Sequence, residues 1–583
     1  MSVGRDNIFF VDIEFSLSTI CILNECFLSV RGLPRFMNAE FDQGVSMRPF
    51  ALTIGDFLSY AAEIWPETDA LIQASTGERL SWRELDALTD AYAKGLWVKG
   101  LRAGDTVVGW SCNSVSLIVC GLAAIKIGAV FVPVSIHLTR PEIADIVLRT
   151  RCACICYADG YRDVDYATVV NELFVDCADA TEPSTLKFSV NLGGSAIASS
   201  VRAADLAELG VSLSADFYAS IRATVQPHHV ASILFTSGST CRPKGVMLTH
   251  DNLVNNAFFS IQRLGLDAAR DLCCMAVPLF HCFGLSTCLI GSIACGVPLV
   301  ILERYRVSDV IKYCEEYKCT VLHGVPTMFG RLLEAVSVGE SNNLVLKKGI
   351  IAGSQCSEAL VAAIVNRLGM DGLSIAYGQT ETSPCCTQTF PDADIELKCT
   401  TIGVPLPGVE MKVVDPDTGD ELLPGEIGEL WTRGFHVMRG YLGLHGQVST
   451  VMDDTCWYHT GDAGFVDIHG DWHYSYRIKD IIVRGGENIS PIEIECALKK
   501  IPYVYQVKVF GVFSKDLGEE VVAVVIPCAG HSITESDLKN ELYGKIAHYK
   551  IPSKFMIIDE MPLNDNGKIN IQYLKDRLSA ECA

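Results

Sequence analysis

Asp105-Thr106-Val107-Val108-Gly109-Trp110 reads as a short apolar strand, and Ala129-Val130-Phe131-Val132-Pro133-Val134 reads as a second. Between them, residues 114–127 are apolar almost throughout and long enough for a buried helix. Strand, helix and strand with short connections predict a parallel sheet covered by helices. The alternation returns after Ala231, through Leu299-Val300-Ile301-Leu302, Thr320-Val321-Leu322-His323 and the run from Leu346 to Ala352. Upstream, Thr53 is placed to cap a helix through Ala62, and Ser81 to cap one reaching about Val98. Leu85, Leu88, Tyr92 and Leu96 recur there at helical spacing. The stretch from Val170 to Gln226 has no clear period.

After Ile402 the texture changes. Residues 409–415 alternate, and Asp415-Pro416-Asp417-Thr418-Gly419 is a turn cluster, so a small β-rich subdomain is expected to about Tyr476. From Lys479, helices over 491–500 and 534–547 around strands such as 521–526 predict a small α+β domain. The fold class is therefore α/β. A large N-terminal domain of parallel-rich sheets covered by helices, with its β-rich subdomain, precedes a small, mobile α+β C-terminal domain.

Bulk properties narrow the function classes. A chain of 583 residues should hold several structural units at about 100–200 residues each. The net charge of -22 argues against a nucleic-acid binder, which needs a basic face, but a few cations in a cleft can still hold phosphates. The 24 cysteines are scattered, without CxxC pairs at zinc-ribbon spacing. They read as small buried hydrophobes kept reduced. Residues 8–30 are apolar, but Asp12, Glu14 and Glu25 interrupt them, which argues against a membrane helix or a targeting leader.

Chemistry concentrates in a few segments. A strand-like run from Val230 feeds Thr236-Ser237-Gly238-Ser239-Thr240-Cys241-Arg242-Pro243-Lys244-Gly245. Hydroxyls and backbone N–H groups of such a loop can cradle phosphate oxygens, with Lys244 as a point charge. Gly245-Val246 after the lysine excludes a Walker A loop. Tyr377-Gly378-Gln379-Thr380-Glu381-Thr382 carries a carboxylate of the type magnesium prefers. Tyr458-His459-Thr460-Gly461-Asp462 offers a carboxylate able to accept two donors at once. Tyr476-Arg477-Ile478-Lys479-Asp480, Arg484-Gly485-Gly486-Glu487-Asn488 and Pro562-Leu563-Asn564-Asp565-Asn566-Gly567-Lys568 follow. His281 stands in the apolar stretch Pro278-Leu279-Phe280-His281-Cys282-Phe283-Gly284.

In this order and spacing, these segments resemble the motif series of the adenylate-forming superfamily, over roughly residues 49–578. That superfamily holds acyl-CoA synthetases, nonribosomal adenylation domains and firefly-type luciferases. The resemblance implies nucleotide contacts from Thr236, Ser237, Gly238, Ser239, Thr240 and Lys244 to the phosphates. It implies Tyr377 on adenine, with Gln379 and Thr380 in the same site, and Asp462 and Arg477 at the ribose. Glu381 would bind magnesium. Lys479 would be the pivot between the domains, and Gly485 and Gly486 would face the thioester-forming site. Lys568 would be catalytic, together with Thr236, Glu381 and His281, the last beside the substrate carboxylate. The family has Gly where this chain has Cys241. The implied domains are an N-terminal extension over 1–48, an AMP-binding domain over 49–478 and a catalytic lid over 479–583.

The implied reaction forms acyl-CoA from a carboxylic acid, ATP and coenzyme A, with Mg²⁺, through an acyl-adenylate. Residues 375–384 and 545–552 look like the medium-chain fatty acyl-CoA synthetase branch. An acyl pocket is expected among residues 281–286, 323–328 and 352–354, which are apolar or small. The expected location is the cytoplasm, with the mitochondrion as the alternative despite a poor presequence. Loading of a carrier-protein thiol, oxidation of the adenylate in the luciferase manner, and nucleotide binding without turnover stay open as alternatives at this point.

Overall fold

Local capping decides where the first helices begin. Thr53 and Ser81 each accept from the backbone three residues on, and Asp56 and Glu84 return the bond as capping boxes. The helices run Ile54–Ile64 and Trp82–Val98. Ser114 caps Val115–Lys126 in the same way, through the Leu117 N–H. The flanking strands, Thr106–Trp110 and Val130–Pro133, pair in parallel with Thr106 opposite Val130. This is the unit anticipated at the head of the sequence. In this computed structural model the described residues are 49–161, 164–179, 185–193, 200–236, 243–337, 343–354, 356–443, 448–449, 452–484, 487–514, 517–563 and 569–582. Residues 1–48, and the reading of the apolar run at 8–30, lie outside them.

Two nine-stranded sheets form the body. In one, Gly372–Tyr377, Lys348–Ile351, Val321–Leu322, Cys273–Met275, Leu299–Ile301 and Asp69–Gln73 are mutually parallel neighbours in that order. In the other, Val230–Thr236, Val130–Pro133, Thr106–Trp110, Cys152–Tyr157 and Phe188–Asn191 form the parallel core, and antiparallel strands Lys244–Thr249 and Gly440–Leu442 extend one edge. Strands buried on both faces need apolar residues throughout, and Cys152–Tyr157 is wholly buried. Its cysteines are thiols packed as hydrophobes, as expected. Phe131 lies across two glycines: a Cβ on Gly109 or Gly121 would come within 2.8 Å of its ring. The poorly patterned stretch after Val170 supplies the strand Phe188–Asn191, the edge strand Ser200–Arg202 and the helix Ala215–Arg222.

The β-rich subdomain is a four-stranded antiparallel sheet of Val409–Val414, Gly428–Gly434, Tyr458–Val466 and Trp472–Arg477. The last sheet has five strands, centred on Gly518–Pro527. That strand alternates faces. Val521, Ala523 and Val525 pack with Ile494 and Leu498, while Val522, Val524 and Ile526 pack with Leu574 and Leu578. The helix expected over 534–547 is shorter, Glu535–Leu542. Leu538 and Leu542 are its buried face, and Tyr543 and Gly544 (φ 76) turn the chain away, which ends the helix at its last core contact. The helix Ile571–Cys582 was not anticipated. Among the described residues no helix is long and apolar enough to cross a membrane.

Candidate active site

The site collects where strands of both large sheets and of the subdomain end. The strand Val230–Thr236 returns as Lys244–Thr249, with Thr236 directly opposite Lys244. The two residues therefore flank the hydroxyl-rich loop. Ser237, Gly238, Ser239, Thr240 and Cys241 lie outside the described residues. Tyr377 ends a parallel strand, Gly372–Tyr377, and the turn that follows holds Gln379, Thr380 and Glu381. Binding groups at carboxyl ends of parallel strands are the usual arrangement of open α/β sheets. Asp462 and Arg477 face each other across the hairpin of Tyr458–Val466 and Trp472–Arg477.

Asp462 is the centre of one cluster. It is only 4% exposed. Its Oδ2 accepts from the Tyr377 hydroxyl at 2.9 Å and from Gln379 Nε2 at 2.6 Å. Its Oδ1 pairs with Arg477 Nε at 2.9 Å. Gln379 also donates to the Thr460 carbonyl at 2.8 Å and accepts from the Tyr458 hydroxyl at 3.2 Å. Burial pushes the Asp462 carboxyl above the usual carboxylate range, while Arg477, Gln379 and Tyr377 pull it back. A carboxylate has about four lone-pair sites, so three protein donors leave room for a further one. Burial, reinforced by Asp462, pushes the Tyr377 hydroxyl well up, so it remains a donor.

Glu381 heads a second cluster. Its Oε1 accepts from the Tyr441 hydroxyl at 2.7 Å, and its backbone carbonyl accepts from the Met438 N–H at 2.9 Å. Among the described residues no hydrogen bond reaches Oε2. An oxygen donor set of this kind suits a magnesium ion that keeps water and phosphate ligands, because that ion needs few protein ligands. Lys244 Nζ lies 4.7 Å from the Tyr441 ring centroid. The turn after Glu381 is pinned from three sides. Ser383 Oγ donates to the His436 carbonyl at 2.7 Å, Ser286 Oγ to the Ser383 carbonyl at 2.7 Å, and Asn256 Nδ2 to the Cys385 carbonyl at 2.7 Å.

Ser286 belongs to a π-helical segment, Phe283–Ile290, a rare form often found at functional sites. His281 stands just before it, half-buried against Phe280 with ring centroids 4.5 Å apart. The three stretches expected around an acyl pocket do meet. The Phe283 ring lies 6.1 Å from that of His323, Gly324 bridges Ile351, and a Cβ on Gly353 would touch Val325 at 3.3 Å. His323 is buried and accepts from the Ile350 N–H at 3.1 Å; burial lowers its pKa to about 4, so it is neutral.

The structure brings together Tyr377, Gln379, Asp462 and Arg477, and separately Glu381 and Lys244. Thr380 sits in the same turn as Glu381. Lys479 is exposed on the turn Ile478–Asp480, immediately after Arg477. Gly485, Gly486 and Lys568 lie outside the described residues. Sequence reading missed Tyr441, Tyr458 and Thr460 as site residues. Tyr458 and Thr460 lay inside the motif that carries Asp462, whereas no local pattern marked Tyr441.

Comparison with known proteins identifies the family. Residues 58–442 match the AMP-binding enzyme family, and residues 493–568 match the AMP-binding enzyme C-terminal domain. The chain is 34% identical to YngI of Bacillus subtilis (strain 168), over 90% of this chain and 97% of that one. It is 30% identical to the mitochondrial medium-chain acyl-CoA ligase ACSF2 of Danio rerio, over 93% and 91%. Among solved structures, ATP-bound MatB from Rhodopseudomonas palustris superposes with a TM-score of 0.76 at 26% identity, covering 90% of this chain and 99% of that one.

Proposed function

The chain belongs to the AMP-binding enzyme family, and on that premise we propose that it joins a carboxylic acid, foremost a medium-chain fatty acid, to coenzyme A through an acyl-adenylate. The observation that carries this reading is the pair of polar clusters at the strand ends. One, around Asp462, is built for a diol beside an aromatic ring; the other, around Glu381 and Lys244, offers an anion and a cation for metal-bound phosphates.

A carboxylate is a poor acyl donor because its leaving group would be oxide. In the first step its oxygen attacks the α-phosphorus of ATP, the bond to the β-phosphate bridge breaks, and pyrophosphate leaves. Positioning and charge neutralisation are what such a step needs from a protein. Asp462 and Arg477 hold the ribose, Tyr377 stacks on the adenine, and Gln379 and Thr380 support the same nucleotide. Lys244, with Thr236 and the loop 237–240, holds the β- and γ-phosphates. Magnesium at Glu381 supplies charge neutralisation on the phosphates. Lys568 bridges the acid and the α-phosphate, and His281 lies beside the acid. In the second step the thiol of coenzyme A attacks the acyl carbon, AMP leaves, and the thiol proton is released. That step requires Lys568 to withdraw, by rotation of the lid 479–583 about Lys479, and Gly485 and Gly486 to line the thiol's approach.

The stretches that carry His281, Phe283, His323 and Gly353 would line an aliphatic tail, each buried CH₂ contributing about 0.8 kcal/mol. The buried, reduced cysteines fit a cytoplasmic location. Pyrophosphate release with ATP, Mg²⁺ and a panel of acids tests the proposal. Turnover with medium-chain acids and acyl-CoA as product is expected; an absence of release with every acid in the panel would overturn it.

A further inference from the structure

Tyr441 meets two opposite charges at once. Its hydroxyl donates to Glu381 Oε1 at 2.7 Å, and its ring carries the Lys244 ammonium at 4.7 Å from the centroid. The register explains why. The strand Gly440–Leu442 lies antiparallel to Lys244–Thr249, with Tyr441 opposite Val246. Lys244 is two residues from Val246 on the same strand, so its side chain shares a sheet face with Tyr441 as a diagonal neighbour. Glu381 reaches the same tyrosine from its own turn, held there by Met438. Lys244 and Glu381 are thus brought close, yet each meets the tyrosine rather than the other.

We propose that Tyr441 is a positioning residue. It orients one carboxylate oxygen of Glu381 and keeps the Lys244 ammonium off that carboxylate, so both charges stay available to the phosphates and their magnesium. This rests on the phosphate and magnesium roles given above for Lys244 and Glu381. The ring is as important as the hydroxyl. A cation held on an aromatic face keeps its N–H groups free for oxygen ligands, whereas an ion pair would engage them.

Two substitutions separate the two roles. Tyr441→Phe keeps the aromatic face and removes the hydrogen bond. Tyr441→Leu removes both and lets Lys244 close on Glu381. ATP binding to the full chain is measured by titration calorimetry across a series of Mg²⁺ concentrations, with thermal unfolding alongside. For Tyr441→Phe, the Mg²⁺ concentration giving half-maximal ATP binding should rise about tenfold, as expected for a lost hydrogen bond to a charged group, with metal-free ATP affinity unchanged. For Tyr441→Leu, metal-free ATP affinity should also fall, and adding Glu381→Gln should restore it by freeing Lys244. Unchanged Mg²⁺ dependence in Tyr441→Phe would overturn the proposal. So would equal losses with and without metal that merely follow the unfolding temperature. A wild-type chain showing these binding effects but releasing no pyrophosphate with any acid would sink the ligase reading and leave the role of Tyr441 standing. A wild type that binds no ATP would sink both.

Discussion

Replacing Asp462 by Asn tests the nucleotide site with a change of one atom. The carboxylate is buried and already takes three donors: Tyr377 and Gln379 on Oδ2, and Arg477 on Oδ1. An amide fits the space but cannot fit the pattern. Whichever way its NH₂ points, it faces a donor. Hydrogen bonds to an ionised acceptor contribute about 1.5–3 kcal/mol net, against about 0.5–1.5 for neutral ones, so a ribose hydroxyl at the one remaining acceptor site loses about 1 kcal/mol. That one hydroxyl gives roughly fivefold in Kd for ATP. Stability should move much less. The raised carboxyl pKa means that ionised Asp462 is itself a net cost to folding near neutral pH. Arg477, whose side chain is 35% exposed, can turn to water when its partner is lost. Calorimetric titration with ATP at fixed Mg²⁺ and thermal unfolding on the same preparation provide the two readouts. A wild-type Kd with a depressed Tm would refute the reasoning and make Asp462 a structural residue. The pH dependence gives a second check. ATP binding uses the ionised form, so affinity should fall as pH drops through the folded-state value, above the usual carboxylate range. The stability contribution has the opposite sign: it is present at acid pH and lost as pH rises from the unfolded to the folded value. Both slopes should vanish in Asp462→Asn.

Other substitutions probe the remaining roles. Lys568→Ala should slow adenylate formation about 10²–10³-fold, the usual cost of removing one group that stabilises transition-state charge, and should largely spare thiolysis of preformed acyl-adenylate; equal losses in both half-reactions would exclude the division of labour. Lys479→Pro should preserve pyrophosphate release in the first turnover and impair acyl-CoA formation, and an unaltered overall rate would remove the pivot. Gly121→Val forces a side chain into the Phe131 ring, which lies 2.8 Å from where the Cβ alone would sit. Overpacking of this kind costs about 1–3 kcal/mol, so Tm should fall while the Kd for ATP in the folded fraction stays at the wild-type value.

The readable part of the fold is the part whose local rules agree with its burial. Thr53, Ser81 and Ser114 sit at helix starts because a hydroxyl there satisfies an otherwise unpaired N–H, and the structure starts helices directly after all three. The parallel strands are continuous apolar runs because both of their faces are covered. The stretch after Val170 resisted reading because its strands are short and lie toward the sheet edge, where Ser189 and Ser200 bond to each other and the apolar signal is diluted. The helix over 535–542 was overextended for a different reason. Gly544 (φ 76), directly after the C-cap Tyr543, is a left-handed glycine stop, and a helix drawn across it runs on too far.

The site divides along the same line. Asp462 and Arg477 could be placed from their motifs, yet neither motif says that they pair; that follows from the register of the hairpin joining them. Tyr441 is further out of reach. Its hydrogen-bond partner is 60 residues away and its cation nearly 200, and the contacts exist only because the strand Gly440–Leu442 pairs with Lys244–Thr249 in a large sheet. A residue whose work is to stand between two charges has no pattern of its own: a tyrosine in a strand is ordinary, and its role is defined by what approaches from either side. This is why motif reading identifies groups that touch a ligand more readily than groups that hold those groups apart. If Tyr441→Phe leaves the Mg²⁺ dependence of ATP binding untouched, the separation of Lys244 from Glu381 is maintained by the backbone alone, and the tyrosine is filling space.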